Sequence, residues 1–499
     1  MTCSKVLIAN IVVGILLAVL GTLVVILAPP FIYKQVRKNL PLVNGTEAFN
    51  VWKDIPFPIY ERFYFFNLTN PQDFYLRGAK PVLKEVGPYS YRSTWVKDDL
   101  NWTANHTVSY REVKTRFFDR NASVGGEDDV ITTLNMPLIA AGQMAKDADA
   151  VKRLMITLAV NALKQNLIIQ KPVGQLLFHG YHDVLVMLAY KLDHSLPYSD
   201  GKFAWMHNRN ATDDGLFVVY TGESDMDKYN VVADWNGKPD LSWWRDECNM
   251  INGTNGELVP PLVNERRTQY IFSSDFCRSW ALADNGTVPS YGLSLQRFIA
   301  PASTFQNGSE YPPNGCFATK RRLNSGAMDI SKCQHGAPVL LSFPHFYMAD
   351  ASYWNAVEGL HPDPLRHGFN LDVYPEIGLG MHLNARLQIN LALEKVPYIW
   401  NLANVTEMTY PILWEEINIE PSDAFVDHLK HELLLPLLYT SMAGYLLLGI
   451  GTGMVLASSA IILGRYLGWL AHKDEDSALL INSDEDGKDD HDDKLGTTA

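Results

Sequence analysis

Apolar and polar residues alternate through "MHLNARLQINLALEK", Met381 to Lys395. Met381, Leu383, Ala385, Leu387, Ile389, Leu391 and Leu393 fall at one parity, and His382, Asn384, Arg386, Gln388 and Asn390 at the other. Successive side chains of a strand point to opposite faces, so this period of two predicts a long strand with one buried face. Upstream, "PEIG", Pro375 to Gly378, supplies turn chemistry and predicts a hairpin. Shorter strand-like pieces are "PYSYRSTW", "YIF" at Tyr270–Phe272 and "PVLLSFPHFY", separated by turn-rich loops. A curled, largely antiparallel sheet closes such a set without exposed edges.

One block changes period. From Met136 to about Lys164, Val151, Leu154, Met155, Leu158 and Ala162 recur at helical spacing, with Pro137 near a helix start. "QLLFHGYHDVLVMLAYKL", Gln175 to Leu192, adds a second helical stretch. Two readings fit this insertion: a surface for a partner, or a packed cap over the barrel end.

Two further stretches are apolar throughout. Val6–Ala28 and Leu433–Leu463 carry no charge over 23 and 31 residues. At about 1.5 Å per helical residue the shorter reaches roughly 35 Å, enough to cross a ~30 Å hydrocarbon layer. Val6–Ala28 exceeds the usual h-region of a cleaved signal peptide, and Pro29-Pro30 follows where small cleavage-site residues normally lie. Both stretches therefore read as membrane anchors, with the two chain ends on one side. Small residues form a ladder at Asn10, Gly14, Ala18 and Thr22, and another at Gly449, Gly453 and Ala457, as in closely approaching membrane helices.

Asn-X-Ser/Thr sequons decide the orientation. They begin at Asn44, Asn67, Asn101, Asn105, Asn121, Asn210, Asn252, Asn285, Asn307 and Asn404, all between the two spans. Such confinement marks a lumenal or extracellular segment. Lys5, Arg465 and Lys473 favour cytoplasmic ends, whereas Lys34, Arg37 and Lys38 lie just past the first span on the outer side. The expected order is a cytoplasmic N-terminus (1–5), a first span (6–28), a glycosylated ectodomain (29–436), a second span (437–463) and an acidic cytoplasmic tail (464–499). Four of five cysteines, Cys248, Cys277, Cys316 and Cys333, lie in the ectodomain and imply two disulfides, with three pairings open. Cys3 lies beside the first span on the cytoplasmic side, where it is either S-palmitoylated or a free thiol.

"YFFNLTNPQDF", "KPVLKEVGPYSYR", "ECNMINGTNGELVPP", "FSSDFCRSW" and "GAPVLLSFPHFYMAD", continuing through "VEGLHPDP" and "ARLQINL", together resemble the class B scavenger receptor family, and the dileucine signal of the tail selects its lysosomal integral membrane branch. The resemblance implies a β-barrel-like ectodomain with a helical crown (136–192). It also implies an apolar tunnel conducting lipid, whether sterol, fatty acid or phospholipid, towards the membrane. It pairs Cys248 with Cys316 and Cys277 with Cys333, and Ala318 stands where a third, short bridge of many members would have one of its cysteines. Such bridges are typically worth about 2–5 kcal/mol each. Lys164 matches a lysine that some members place near the tunnel mouth for fatty-acid carboxylates; the alternative is a solvated lysine at a helix end. In the lysosomal branch the crown carries a lumenal hydrolase as cargo, with a histidine supporting pH-dependent release. The matching stretch "AKDADA", Ala145 to Ala150, contains no histidine, so it lacks the natural switch between pH 5 and 8.

The tail from Arg465 to Ala499 holds four basic and ten acidic residues, a disordered composition. Within it Glu475, three spacers, Leu479 and Leu480 match an acidic dileucine sorting signal. Its two leucines would fill an apolar pocket on a clathrin adaptor as an extended peptide, with the acid upstream meeting a basic patch; the alternative is a helical extension of the second span. Asn482, Asp484, Asp486, Gly487 and Asp493 mimic an EF-hand loop, yet Asp489 occupies its apolar position and no amphipathic helices flank it. The chain has no Gly-X-Ser-X-Gly, His-Glu-X-X-His or phosphate loop, so a tethered hydrolase is not expected, and His345 reads as a structural histidine. No cofactor, metal or nucleic-acid partner is expected. The leading expectation is a lysosomal or late-endosomal receptor-like protein that moves lipid. The alternatives are a plasma-membrane scavenger receptor for lipoproteins or particles, and a structural lysosomal glycoprotein without transport activity.

Overall fold

The alternating stretch forms the strand Leu379–Leu393 in the computed structural model, which describes residues 2–261 and 268–485. The chain divides into two compact units, one made of the terminal segments up to Val36 and from Asp427, the other spanning Arg37–Val426. In the larger unit, the Pro375–Gly378 turn joins Leu379–Leu393 to Asn370–Tyr374, with Gly378 N donating to Tyr374 O at 3.0 Å. Met381 and Leu391 are fully buried as the period requires. The opposite face departs from the expectation of one buried side: Gln388 and Asn390 are also fully buried. Val339–Ser342 pairs over that end of the strand, where Asn390 donates to Ser342 Oγ at 3.0 Å and Gln388 accepts from His345 N at 2.6 Å. Their polar groups are satisfied, which permits the burial.

Most of the described strands build one large antiparallel sheet; Val130–Leu134 pairs apart from it with Ile168–Pro172, and Tyr181–His182 with Lys202–Phe203. The large sheet runs from Thr268–Ser273 through Arg278–Ser290, Leu293–Ile299, Asn370–Tyr374, Leu379–Leu393 and Met408–Ile419, then Ile59–Leu68, Leu83–Thr103, Thr107–Phe118 and Thr212–Tyr220 to Val232–Trp235. Its two outer strands are stitched by a single short segment. Thr254 N donates to Tyr270 O at 3.2 Å and Phe272 N to Thr254 O at 2.8 Å, while Val232 N donates to Gly253 O at 2.9 Å. The sheet is therefore a nearly closed barrel, with its edges paired rather than exposed. Gly253 is required at this seam: its φ is +84°, and a Cβ there would lie 2.0 Å from the Tyr270 carbonyl oxygen.

The helical block is two helices, Met136–Asp147 and Ala150–Leu163. The break falls at Asp149, whose carboxylate caps the second helix by accepting from Val151 N and Lys152 N, both at 3.0 Å. The 175–192 stretch is likewise interrupted, into a π-turn at Gln175–His179, the short strand Tyr181–His182 and the helix Val184–Leu192 capped by Asp183. Gly180, at φ +71°, separates the first two.

The smaller unit holds two helices long and apolar enough to cross a membrane. The first, Thr2–Lys38, continues through Pro29 and Pro30 beyond the apolar run. The second, Leu435–Glu485, follows a π-turn at Lys430–Leu434. Their backbones touch at glycines. A Cβ on Gly14 would lie 2.8 Å from Gly451 O, and one on Gly21 would lie 2.5 Å from Leu448 N and 2.6 Å from Gly444 O. The first predicted ladder thus contributes Gly14 and Ala18. The second is displaced: Gly444 and Gly451 make the contact, and Gly449 and Gly453 have no neighbour within 4 Å of such a Cβ. Sequence spacing alone does not say which of several small-residue faces meets the partner helix.

Candidate functional site

Inside the barrel lies a cavity of about 700 Å³. One wall is apolar: Leu383, Ala385, Leu387 and Ile389 from one strand, and Ile417 and Ile419 from the next. Register places Leu383 opposite Ile419, Ala385 opposite Ile417 and Leu387 opposite Glu415, so these residues share the inner face. The helices Met136–Asp147 and Val184–Leu192 bring Met136, Met144, Leu185 and Val186 to the lining.

The opposite wall is ionic. Tyr110, Glu112, Lys114 and Arg116 alternate inward from Thr107–Phe118, pairing across to Lys97 and Trp95. Lys97, wholly buried, lies 2.9 Å from Glu112 and 2.8 Å from Glu257. Lys114 lies 2.6 Å from Asp214, Arg116 2.5 Å from Glu61, and Arg209 2.9 Å from Asp275 while also pairing with Asp214. Burial pushes the Lys97 ammonium down, but the Glu112 and Glu257 carboxylates outweigh it and hold its pKa up. Burial pushes Glu112 up, yet Lys97 and Lys114 bring it below the ordinary carboxylate value. Its neighbour Glu257 goes the other way: burial, reinforced by the Glu112 charge and opposed by Lys97, raises it to about 7. Glu415 is raised to about 8 by burial and by Glu61, against Arg116. Asp275 is raised by burial and by Asp214. The wall thus combines fixed ion pairs with two carboxyls, Glu257 and Glu415, that hold protons near neutrality.

This ionic ladder is what sequence reasoning missed. "TVSYREVKTRFF" has charged or polar residues at both parities, so its alternation does not reveal which side is interior. The usable signal was acid in two largely apolar strands, Glu61 in "IYERFYFFNL" and the Glu415–Glu416 pair in "YPILWEEINI".

Behind the apolar wall Glu85, His345 and His367 gather with their ligand atoms within 4.8 Å of one another. Their hydrogen bonds do not suit a metal. His345 Nδ1 accepts from His361 N at 3.0 Å and His367 Nδ1 accepts from Asp363 N at 2.9 Å. Each neutral ring therefore carries its proton on Nε2, the nitrogen that a metal would need bare. His345 Nε2 instead donates to Glu85 Oε2 at 2.5 Å, joined there by Trp414 Nε1 at 2.9 Å, while Arg366 holds Oε1 at 2.5 Å. Against the pull of burial, the bonds from His345 and Trp414 bring Glu85 down to about 2. Burial, with the neighbouring His345, brings His367 down to about 3. His345 is thus a hydrogen-bonded structural residue, and Asp350 is the N-cap of the helix Ala351–Ala356.

The residues singled out in the sequence fall elsewhere. Lys164 is the exposed C-cap of Ala150–Leu163, at φ 47°, and does not reach the cavity lining. On the same helix Val151, Leu154, Met155 and Leu158 are 59–69 % exposed, so the stripe is not packed as a cap against the barrel. Cys248 is bonded to Cys316 and Cys277 to Cys333. Among the sequons, Asn44, Asn101, Asn105, Asn121, Asn210, Asn285 and Asn404 are exposed, whereas Asn67, Asn252 and Asn307 are half-buried. The helix Leu435–Glu485 runs through the dileucine stretch, so the backbone of Glu475, Leu479 and Leu480 is helical rather than extended. Leu, Ala and Glu propagate a helix already nucleated by the span. The side chains of these three residues, and that of Cys3, lie outside the described residues, as does the EF-hand-like run beyond Glu485.

Comparison with known proteins agrees with this architecture. The CD36 family model matches residues 12–462. Scavenger receptor class B member 1 of Bos taurus is 34% identical over 467 residues, 92% of this chain and 91% of that protein. The same-named protein of Cricetulus griseus is 37% identical over 450 residues, 89% of this chain and 87% of that one. Lysosome membrane protein 2 of Homo sapiens is 33% identical over 458 residues, 91% of each. Two apolar helices flanking a nearly closed antiparallel barrel, joined to a match over almost the whole length, place this chain in the CD36 family.

Proposed function

We propose that this scavenger-receptor-like protein resides in lysosomal and late-endosomal membranes, takes lipid into its barrel cavity and passes it through the ectodomain to the membrane. The observation that carries the reading is the cavity itself. Its volume of about 700 Å³ lies within the ~300–1,000 Å³ of small-molecule sites, and one wall is continuous aliphatic surface facing convergent polar groups. Location is supported by the names of the lysosomal relatives and by Glu475, Leu479 and Leu480, read by a clathrin adaptor. The confinement of all ten sequons between the spans supports cytoplasmic termini. Adaptor binding as an extended peptide requires the helix at Leu479–Leu480 to unwind locally. The exposed stripe Val151, Leu154, Met155 and Leu158 favours a second role, docking of a lumenal protein on the crown.

The full-length protein is tested with a photoactivatable sterol, followed by peptide mapping. Adducts on Leu379–Leu393 or Met408–Ile419 support cavity binding, and adducts confined to the terminal helices refute it. In cells, Leu479→Ala/Leu480→Ala is expected to accumulate at the surface while the wild type is lysosomal. Wild type and variant both at the surface would favour a plasma-membrane receptor instead.

A further inference from the structure

The ionic wall carries more acid than base. Lys97, Lys114, Arg116 and Arg209 are matched by Glu61, Glu112, Asp214, Glu257 and Asp275, with Glu415 beside them, so carboxyls outnumber cations by two. Every one of these cations already holds a carboxylate within hydrogen-bond reach. An anionic headgroup entering the cavity meets no unpaired cation among them. Taking an isolated carboxylate out of water without a partner is strongly unfavourable.

Glu415 differs from the other acids of the cluster. Its neighbour Glu416 points outward and is held by Arg62 at 2.9 Å and Arg386 at 2.7 Å. Glu415 points into the cavity and makes no hydrogen bond or ion pair among the described residues. Phe63 and Leu387 are its register partners, and Ile417 and Ile419 continue the apolar wall along its own strand. The charged groups facing it are Glu61 from Ile59–Leu68, Lys114 and Arg116 from Thr107–Phe118, and Asp275 from the turn after Thr268–Ser273. The carboxyl therefore stands where the ionic wall meets the aliphatic one. Burial and Glu61 keep it protonated at neutral pH, so it both donates and accepts a hydrogen bond.

Given a lipid-binding cavity, we infer that Glu415 is the hydrogen-bonding seat for the hydroxyl of a neutral lipid, a sterol or an acylglycerol. The lipid's apolar body would lie along Leu383–Ile389 and Ile417–Ile419, and a fatty-acid anion would find no unpaired cation among Lys97, Lys114, Arg116 and Arg209.

The test uses the full-length protein in detergent at about pH 7 with tritiated cholesterol, mono-oleoylglycerol and palmitate. Palmitate is expected to bind at least roughly tenfold more weakly than the better of the two neutral lipids, and comparing those two identifies the source of the hydroxyl. Glu415→Leu is expected to weaken that lipid by about three- to tenfold, and Glu415→Gln, which keeps a donor and an acceptor, to stay within about twofold of wild type. Palmitate binding as tightly as the neutral lipids overturns the inference, and that comparison needs no substitution. So does a folded Glu415→Leu variant with unchanged affinity. Wild-type protein that binds none of the three overturns the lipid-binding function itself.

Discussion

Raising the pH from about 6.5 to about 8.5 is expected to destabilise the ectodomain, because Glu257 and Glu415 hold protons in the folded chain near pH 7 and 8 against an ordinary value of 4.5. Above 4.5 the unfolded chain has released both protons, so folding takes them up and stability falls as pH rises through the two folded values. Over this interval a group near pKa 8 gives up roughly 2 kcal/mol and one near 7 roughly 1 kcal/mol. His367 opposes them weakly: held at about 3 in the fold against 6.5, it returns well under about 1 kcal/mol across the window. The net loss is about 2 kcal/mol. For a unit of roughly 390 residues, an unfolding entropy of about 2.1 cal/mol/K per residue converts this to a fall in Tm of about 2–3 °C. Thermal unfolding of the full-length protein, followed by tryptophan fluorescence, measures it. Glu415→Gln should remove most of the difference, and Glu257→Gln a smaller part. A wild-type Tm that rises across this window, or a slope that neither substitution changes, would show that these two carboxyls do not set the pH dependence.

Other consequences are equally specific. Lys97→Met strands Glu112 and Glu257, each under 10 % exposed, and should cost about 3–5 kcal/mol in unfolding experiments. Arg77→Met, which breaks the exposed pair with Asp73, should change stability by at most about 0.5 kcal/mol. Gly21→Leu places side-chain atoms where Leu448 N and Gly444 O already lie, so crosslinking between cysteines placed on the two terminal helices should fall sharply; Gly449→Leu should leave it unchanged. Glycopeptide mass spectrometry should find glycans at the exposed sequons and an unmodified Asn67, whose side chain accepts from Thr132 N at 2.8 Å on a neighbouring strand.

The parts of the fold legible in the sequence were those with a single dominant period. Leu379–Leu393 announced itself because one parity is wholly apolar, and the two spans because they exclude charge entirely. The interruptions were harder: Asp149 and Gly180 break helical stretches whose apolar spacing continues across them, so local capping and left-handed backbone overrode the period. The crown stripe was visible, but whether it packs or faces solvent depends on tertiary placement, and the structure exposes it. The candidate site was the least legible. A resemblance directed attention to Lys164, while the polar chemistry of the cavity comes from Lys97, Glu112, Glu257 and Glu415, drawn from segments up to 318 residues apart and joined only by closure of the barrel. Charges on an inward strand face run against the binary pattern, and such departures from local consistency are where function concentrates.

Filling the cavity tests whether lipid passes through the barrel. Ala385→Trp projects an indole from the Leu379–Leu393 strand into a space of about 700 Å³, on the aliphatic wall away from the ion pairs. Full-length wild type and variant, reconstituted into liposomes of equal protein content, are compared for delivery of tritiated cholesterol from donor vesicles. If lipid passes through the barrel, the variant folds, with an unfolding temperature near that of wild type, yet delivers sterol at the protein-free rate. Delivery by Ala385→Trp at the wild-type rate would contradict it.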